Sequence, residues 1–201
     1  LIPDYRLAPE HPFPAAVDDA VACYQWLVER RGRDGSVVVA ADSSSAGLAI
    51  ALLQRARDAR QPMPAGVLLF APSADLSGGM LAPSDTPTHP LEQLAPAADA
   101  YLAGHPIDDP LVSPLHADLA GFPPLLVQCG TDDRARPEAE AIVTRALDHG
   151  VDARVELYPT DAHVFHVFWS FLPEAAEALA AAGDFVREVR DIAHRATDET
   201  G

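Results

Sequence analysis

Two cysteines in 201 residues are too few for a disulfide framework, and neither Cys23 nor Cys129 has the spacing of a metal ligand set. Both stand among apolar residues and are expected to be small buried hydrophobes, compatible with a reducing cytoplasm. No apolar run approaches the roughly 18 residues that a membrane-spanning helix needs. There is no basic-then-apolar signal peptide, internal repeat or low-complexity tract, and no initiator methionine. Basic residues are also scarce: 14 Lys and Arg face 30 Asp and Glu, a formal charge of −16. That excess repels phosphate, so nucleic acid and anionic membrane surfaces are not expected partners.

What is present is a globular composition, 48% hydrophobic and 22% charged, sufficient for one domain with a sizeable core. Short apolar runs alternate with longer helical patterns. Val37 to Ala41, Val67 to Phe70 and Leu125 to Cys129 are near-continuous apolar runs, as expected of strands buried on both faces. Arg154 to Tyr158 alternates polar and apolar, which suits a strand nearer a sheet edge. Helices are expected over 18–31, 46–60, 137–149 and from 173 to about 194. The fourth strand is preceded by the proline-first, glycine-last signature of Pro137 and Gly150. Trp26, at helical spacing with Val21 and Ala22, is expected in the core, and residues 1–5 read as the end of a strand. The fold class is therefore α/β, with right-handed crossovers and a mostly parallel sheet in a single domain over 1–201. Residues 72–123 break the rhythm, with only about 90–104 helical. An excursion of that length is expected to carry substrate-binding residues over the strand ends.

The segment Val37-Val38-Val39-Ala40-Ala41-Asp42-Ser43-Ser44-Ser45-Ala46-Gly47-Leu48 reads as strand, sharp turn, helix. A nucleophile elbow has this form: a serine at a strained apex, flanked by small residues, above a helix N-terminus that favours negative charge. Ala41 and Ser45 stand where the usual Gly-x-Ser-x-Gly pattern has glycine. Both are small, but each adds a Cβ where crowding is worst. A helix N-cap is the competing reading of the same serines.

With this turn in place, five ordered blocks resemble the hormone-sensitive-lipase-like bacterial esterases of the α/β hydrolase fold-3 group. They are Asp4-Tyr5-Arg6-Leu7-Ala8-Pro9-Glu10-His11-Pro12-Phe13-Pro14-Ala15-Ala16, Asp42-Ser43-Ser44-Ser45-Ala46-Gly47-Leu48, Asp109-Pro110-Leu111-Val112-Ser113-Pro114-Leu115, Gly130-Thr131-Asp132-Asp133, and Tyr158-Pro159 with His163-Val164-Phe165. The resemblance implies a carboxylic ester hydrolase acting on small to medium acyl esters, without cofactor or metal. Ser43 would be the nucleophile, His163 the general base, Asp133 the acid and the Ser44 N–H an oxyanion donor. Asp132 is the alternative acid; otherwise it is expected to hold its loop through backbone amides. Glu138 stands near the place of a second family acid, and Arg134 and Arg136 are close enough in sequence to threaten an ion pair with the triad carboxylate. His163 and His166 form a His-x-x-His pair but lack the glutamate of a helical zinc site. The Asp4-Tyr5-Arg6 stretch is expected to brace the sheet.

The family's His-Gly-Gly oxyanion loop does not occur in the 201 residues, nor do blocks matching its first strands and N-terminal cap. Two expectations follow: the C-terminal two-thirds of an active esterase, or an inactive remnant. Cleavage of lactones or amides is a further alternative. A homodimer is an open expectation.

Overall fold

The structure, a computed structural model, describes residues 1–31, 37–77, 79 and 91–198. Part of the 72–123 excursion, residues 78 and 80–90, lies outside the described residues. The four expected strands form, as β1 (Val38–Asp42), β2 (Gly66–Phe70), β3 (Leu125–Gly130) and β4 (Ala153–Tyr158). They lie side by side in that order, every neighbouring pair parallel. Central β3 is buried at all six residues, whereas β4, with its alternating sequence, takes an edge. The helices are α1 (Ala15–Arg31), α2 (Ser45–Asp58), α3 (Leu91–Leu102), α4 (Arg136–Asp148) and α5 (Pro173–Asp198).

Alternation along the strands divides the core between two faces. Val67, Leu69, Leu125, Val127 and Cys129 join Ala20 and Tyr24 of α1, Ile50 and Leu53 of α2 and Ile142 of α4. On the other face Leu68 and Leu126 pack against Ala182, Phe185 and Val189 of α5. The result is a three-layer α/β/α sandwich. Pro137 opens α4 at its first turn, and Gly150, at φ +75°, ends the segment where a side chain would be strained.

Four expectations fail here. β1 is not buried on both faces: it takes the other edge of the sheet, and none of its five residues is buried. Residues 1–5 form no strand: an extended segment becomes one only when a neighbouring strand takes up its hydrogen bonds, whereas the Arg6 N–H donates to the side chain of Asp19 at 2.9 Å. The guanidinium of Arg6 grips the same carboxylate, which is held down to a pKa of about 2, so this stretch is clasped to α1 and not laddered into the sheet. Trp26 is 47% exposed and Ala22 is also exposed, because α1 turns Val17, Ala20 and Tyr24 inward. Two residues beyond Tyr24, Trp26 points well away from that face, and the Arg30 guanidinium covers its ring at 4.5 Å. Cys129 is buried as expected, but Cys23 is only half-buried.

Candidate active site

Parallel strands deliver their C-terminal ends to one edge of the sheet, and all three expected catalytic side chains stand just beyond it. Ser43 follows β1, Asp133 lies three residues beyond β3, and His163 five beyond β4.

The turn at Ser43 is tight. Its φ is +49°, a left-handed conformation that costs an L-residue on the order of 1 kcal/mol or more. Hydrogen bonds hold it there: the Ser43 N–H donates to Phe70 O at 2.9 Å, and its carbonyl accepts from Ala46 N at 3.1 Å and Ser73 N at 2.9 Å. Ser45 also explains why the turn tolerates the loss of a glycine. Its hydroxyl donates to Asp42 O at 2.6 Å and accepts from Asp42 N at 2.9 Å, so the side chain that adds bulk also closes the turn. Ser44 takes the N-cap position of α2 with helical backbone angles and no side-chain cap bond. Its N–H is one of the terminal amides that a helix leaves without an intrahelical acceptor.

Ser43 Oγ lies 2.8 Å from His163 Nε2, and His163 Nδ1 lies 3.0 and 3.2 Å from the two carboxylate oxygens of Asp133. An ionised carboxylate only accepts, so the imidazole proton sits on Nδ1 and the Nε2 lone pair faces the serine hydroxyl. The Asp133 side chain is 2% exposed and that of His163 is 16% exposed. Asp133 is fixed from behind by Ala135, whose N–H donates to Oδ1 at 2.9 Å. Asp132 is exposed, and among the described residues its carboxylate accepts from the Thr131 hydroxyl at 2.9 Å and not from the backbone amides expected. The acid loop and the histidine loop meet tightly: the Thr131 N–H donates to Tyr158 O at 2.7 Å and Asp132 N to Thr160 O at 3.2 Å. A Cβ on Gly130 would collide with the Thr160 carbonyl oxygen.

Arg136 does not pair with the triad carboxylate as its spacing suggested. Its guanidinium pairs with Glu140 at 2.8 Å and donates to Thr131 O at 3.1 Å. The two histidines of the His-x-x-His pair face different partners, since His166 Nε2 meets Gln128 Oε1 at 3.2 Å. Among the described residues no group of three side chains could hold a metal ion.

Beneath the serine–histidine–aspartate line runs a polar network that the sequence reading missed. Gln128 Nε2 donates to Glu156 Oε2 and to Ala178 O, both at 2.9 Å, so its oxygen must accept from His166. His166 is therefore protonated on Nε2, and its Nδ1 has no partner among the described residues. Its ring lies 4.4 Å from Phe70 and 4.0 Å from Phe165, and burial pushes its pKa down to about 4. Gln128 was the available signal: a lone polar residue inside Leu-Leu-Val-Gln-Cys must find partners once the strand is buried. Glu138 was noticed, but its position inside the protein was not.

The sequence pattern of the family described as alpha/beta hydrolase fold matches residues 1–167. The chain belongs to that family. Its relatives include an acetyl-hydrolase of Streptomyces hygroscopicus, 43% identical over 189 residues that cover 91% of this chain and 62% of that protein. An esterase of Acinetobacter venetianus is 33% identical over 187 residues, 90% of this chain and 62% of that protein. Among solved structures, an esterase from the bacterial hormone-sensitive lipase family superposes with a TM-score of 0.85 at 38% identity, covering 93% of this chain and 64% of that one. This α/β hydrolase chain thus spans about 62% of the length of these curated relatives. Its membership is what the five sequence blocks implied. Among the described residues no helix is long and apolar enough to cross a membrane.

Proposed function

We propose that the chain carries the catalytic apparatus of a carboxylic ester hydrolase for small to medium acyl esters. The observation that carries this reading is the unbroken line from Ser43 Oγ through His163 to buried Asp133. The names of its relatives, acetyl-hydrolase and esterase, point the same way.

In this reading Ser43 Oγ attacks the ester carbonyl while His163 Nε2 takes its proton. Asp133 holds the Nδ1 proton and stabilises the imidazolium. The tetrahedral oxyanion forms above the N-terminus of α2, where the Ser44 N–H and the helix dipole meet the charge. His163 then returns the proton to the departing alcohol, and water repeats the sequence to free the acid. The described part of the excursion next to β2 reaches the nucleophile, where the Ser73 N–H donates to the Ser43 carbonyl at 2.9 Å.

Hydrolysis of p-nitrophenyl acetate, butyrate and octanoate tests the proposal. Turnover of the shorter esters that disappears in Ser43→Ala supports it. A folded chain that releases no p-nitrophenol from any of them favours the inactive-remnant alternative.

A further inference from the structure

Among the buried ionisable groups that the mechanism does not use, Glu138 has the most telling contacts. Glu138, in the first turn of α4, is 1% exposed, and burial raises its pKa. Its Oε2 accepts the N–H groups of Ala74 and Asp75, the latter at 2.9 Å. Its Oε1 has no hydrogen-bond partner among the described residues. A carboxyl group kept in so dry a place must be held for what it grips, because an unpaired buried oxygen is costly.

What it grips is the loop beneath the nucleophile. From Ala71 to Ser77 every backbone N–H is taken. Ala71 donates to Gln128 O, Ser73 to Ser43 O, Ala74 and Asp75 to Glu138, Leu76 to Ser113 Oγ, and Ser77 to Asp75 Oδ1. Ala71 itself has φ +45°, so the chain turns sharply out of β2 directly before this run. Two of the loop's amides bind one carboxylate oxygen, and the amide just before them binds the carbonyl of Ser43.

We infer that Glu138 is a positioning residue that fixes the Ser43 elbow through the 73–75 loop. Five residues earlier, Asp133 orients His163 at 3.0 Å. The segment 133–138 therefore braces both ends of the serine–histidine line, the base directly and the nucleophile through the loop. Misplacement of a reacting group by about 1 Å can cost on the order of 10² in rate, so even a small relaxation of this loop would register.

This inference rests on the proposed role of Ser43, and its test separates the two. Glu138→Leu removes the acceptor at similar volume, whereas Glu138→Gln retains an oxygen for the two amides. Glu138→Leu should lower kcat on p-nitrophenyl acetate on the order of 10² with KM nearly unchanged. It should also speed amide hydrogen exchange at Ser73, Ala74 and Asp75, and Glu138→Gln should restore both readouts. If Glu138→Leu does not fold, Glu138→Asp, which withdraws the carboxylate by one methylene, is measured in its place with the same expectations. Unchanged kcat, unchanged exchange at 73–75, or a Glu138→Gln variant as impaired as Glu138→Leu would each overturn the inference. A wild-type chain without esterase activity would count against the proposed function alone. The exchange measurement would then still decide whether Glu138 holds the loop.

Discussion

Asp133→Asn is the substitution whose consequence the geometry determines most fully. In the wild-type chain Asp133 Oδ1 accepts from Ala135 N at 2.9 Å, and Oδ2 faces His163 Nδ1 at 3.0 Å. An asparagine must keep its carbonyl oxygen toward the Ala135 N–H, since the opposite rotamer would set two donors against each other. Its NH₂ group then faces His163 Nδ1 and donates to it. The imidazole proton moves to Nε2, directed at the Ser43 hydroxyl, and the ring can no longer accept the serine proton. Inversion of the tautomer in such a triad costs on the order of 10⁴ in kcat, or about 5.4 kcal/mol at 1.36 kcal/mol per tenfold. KM should change little, because no substrate contact is lost. Steady-state hydrolysis of p-nitrophenyl acetate, with circular dichroism to verify folding, measures the effect. Asp132→Asn is the control. Its carboxylate is exposed and bonded to Thr131 Oγ1, so its change should stay within about a factor of two, roughly 0.4 kcal/mol. A loss larger at Asp132 than at Asp133, or one under tenfold at Asp133, would refute the assignment of the acid.

Three further outcomes follow from the packing. His166 has a folded-state pKa of about 4, below the ordinary 6.5. The unfolded chain therefore binds a proton that the folded chain refuses, and stability should decline as pH falls from about 6.5 to about 4, by up to about 3 kcal/mol. Urea denaturation of His166→Phe should show that slope removed; an unchanged slope would exclude His166 as its source. Gly130→Ala forces a Cβ against the Thr160 carbonyl and should cost about 1–3 kcal/mol of stability, lowering esterase activity as the histidine loop shifts. Ser45→Ala removes the hydroxyl that closes the elbow and should lower stability by about 1 kcal/mol in the same assay.

The layers were legible in the sequence because burial on both faces leaves a continuous apolar run, as in Val67 to Phe70, and because Pro137 and Gly150 mark helix ends chemically. The positions of Ser43 and His163 after strands were legible for the same reason. Individual side-chain directions were not. Trp26 misled because apolar spacing identifies a helix but not which hydrophobic residue takes the shallow side, and Arg30 was free to cover it. Residues 1–5 misled because extended sequence does not disclose whether a neighbour exists to pair with it. The bonds of Glu138, Gln128 and His166 join residues distant in the chain, Glu138 to Ala74 and Gln128 to Ala178, and no local pattern encodes such partners. Ser45 lies between these cases: its departure from glycine was plain, but its compensation needed the turn's geometry.

In the proposed mechanism Ser43 is the nucleophile, made reactive by His163. Labelling of the chain with a fluorophosphonate, followed by peptide mass mapping, tests it most directly. A single phosphonylated residue, Ser43, is expected, with labelling abolished in Ser43→Ala and strongly slowed in His163→Ala. Modification at Ser44 or Ser45, or a folded chain in which His163→Ala labels as fast as the wild type, would contradict it.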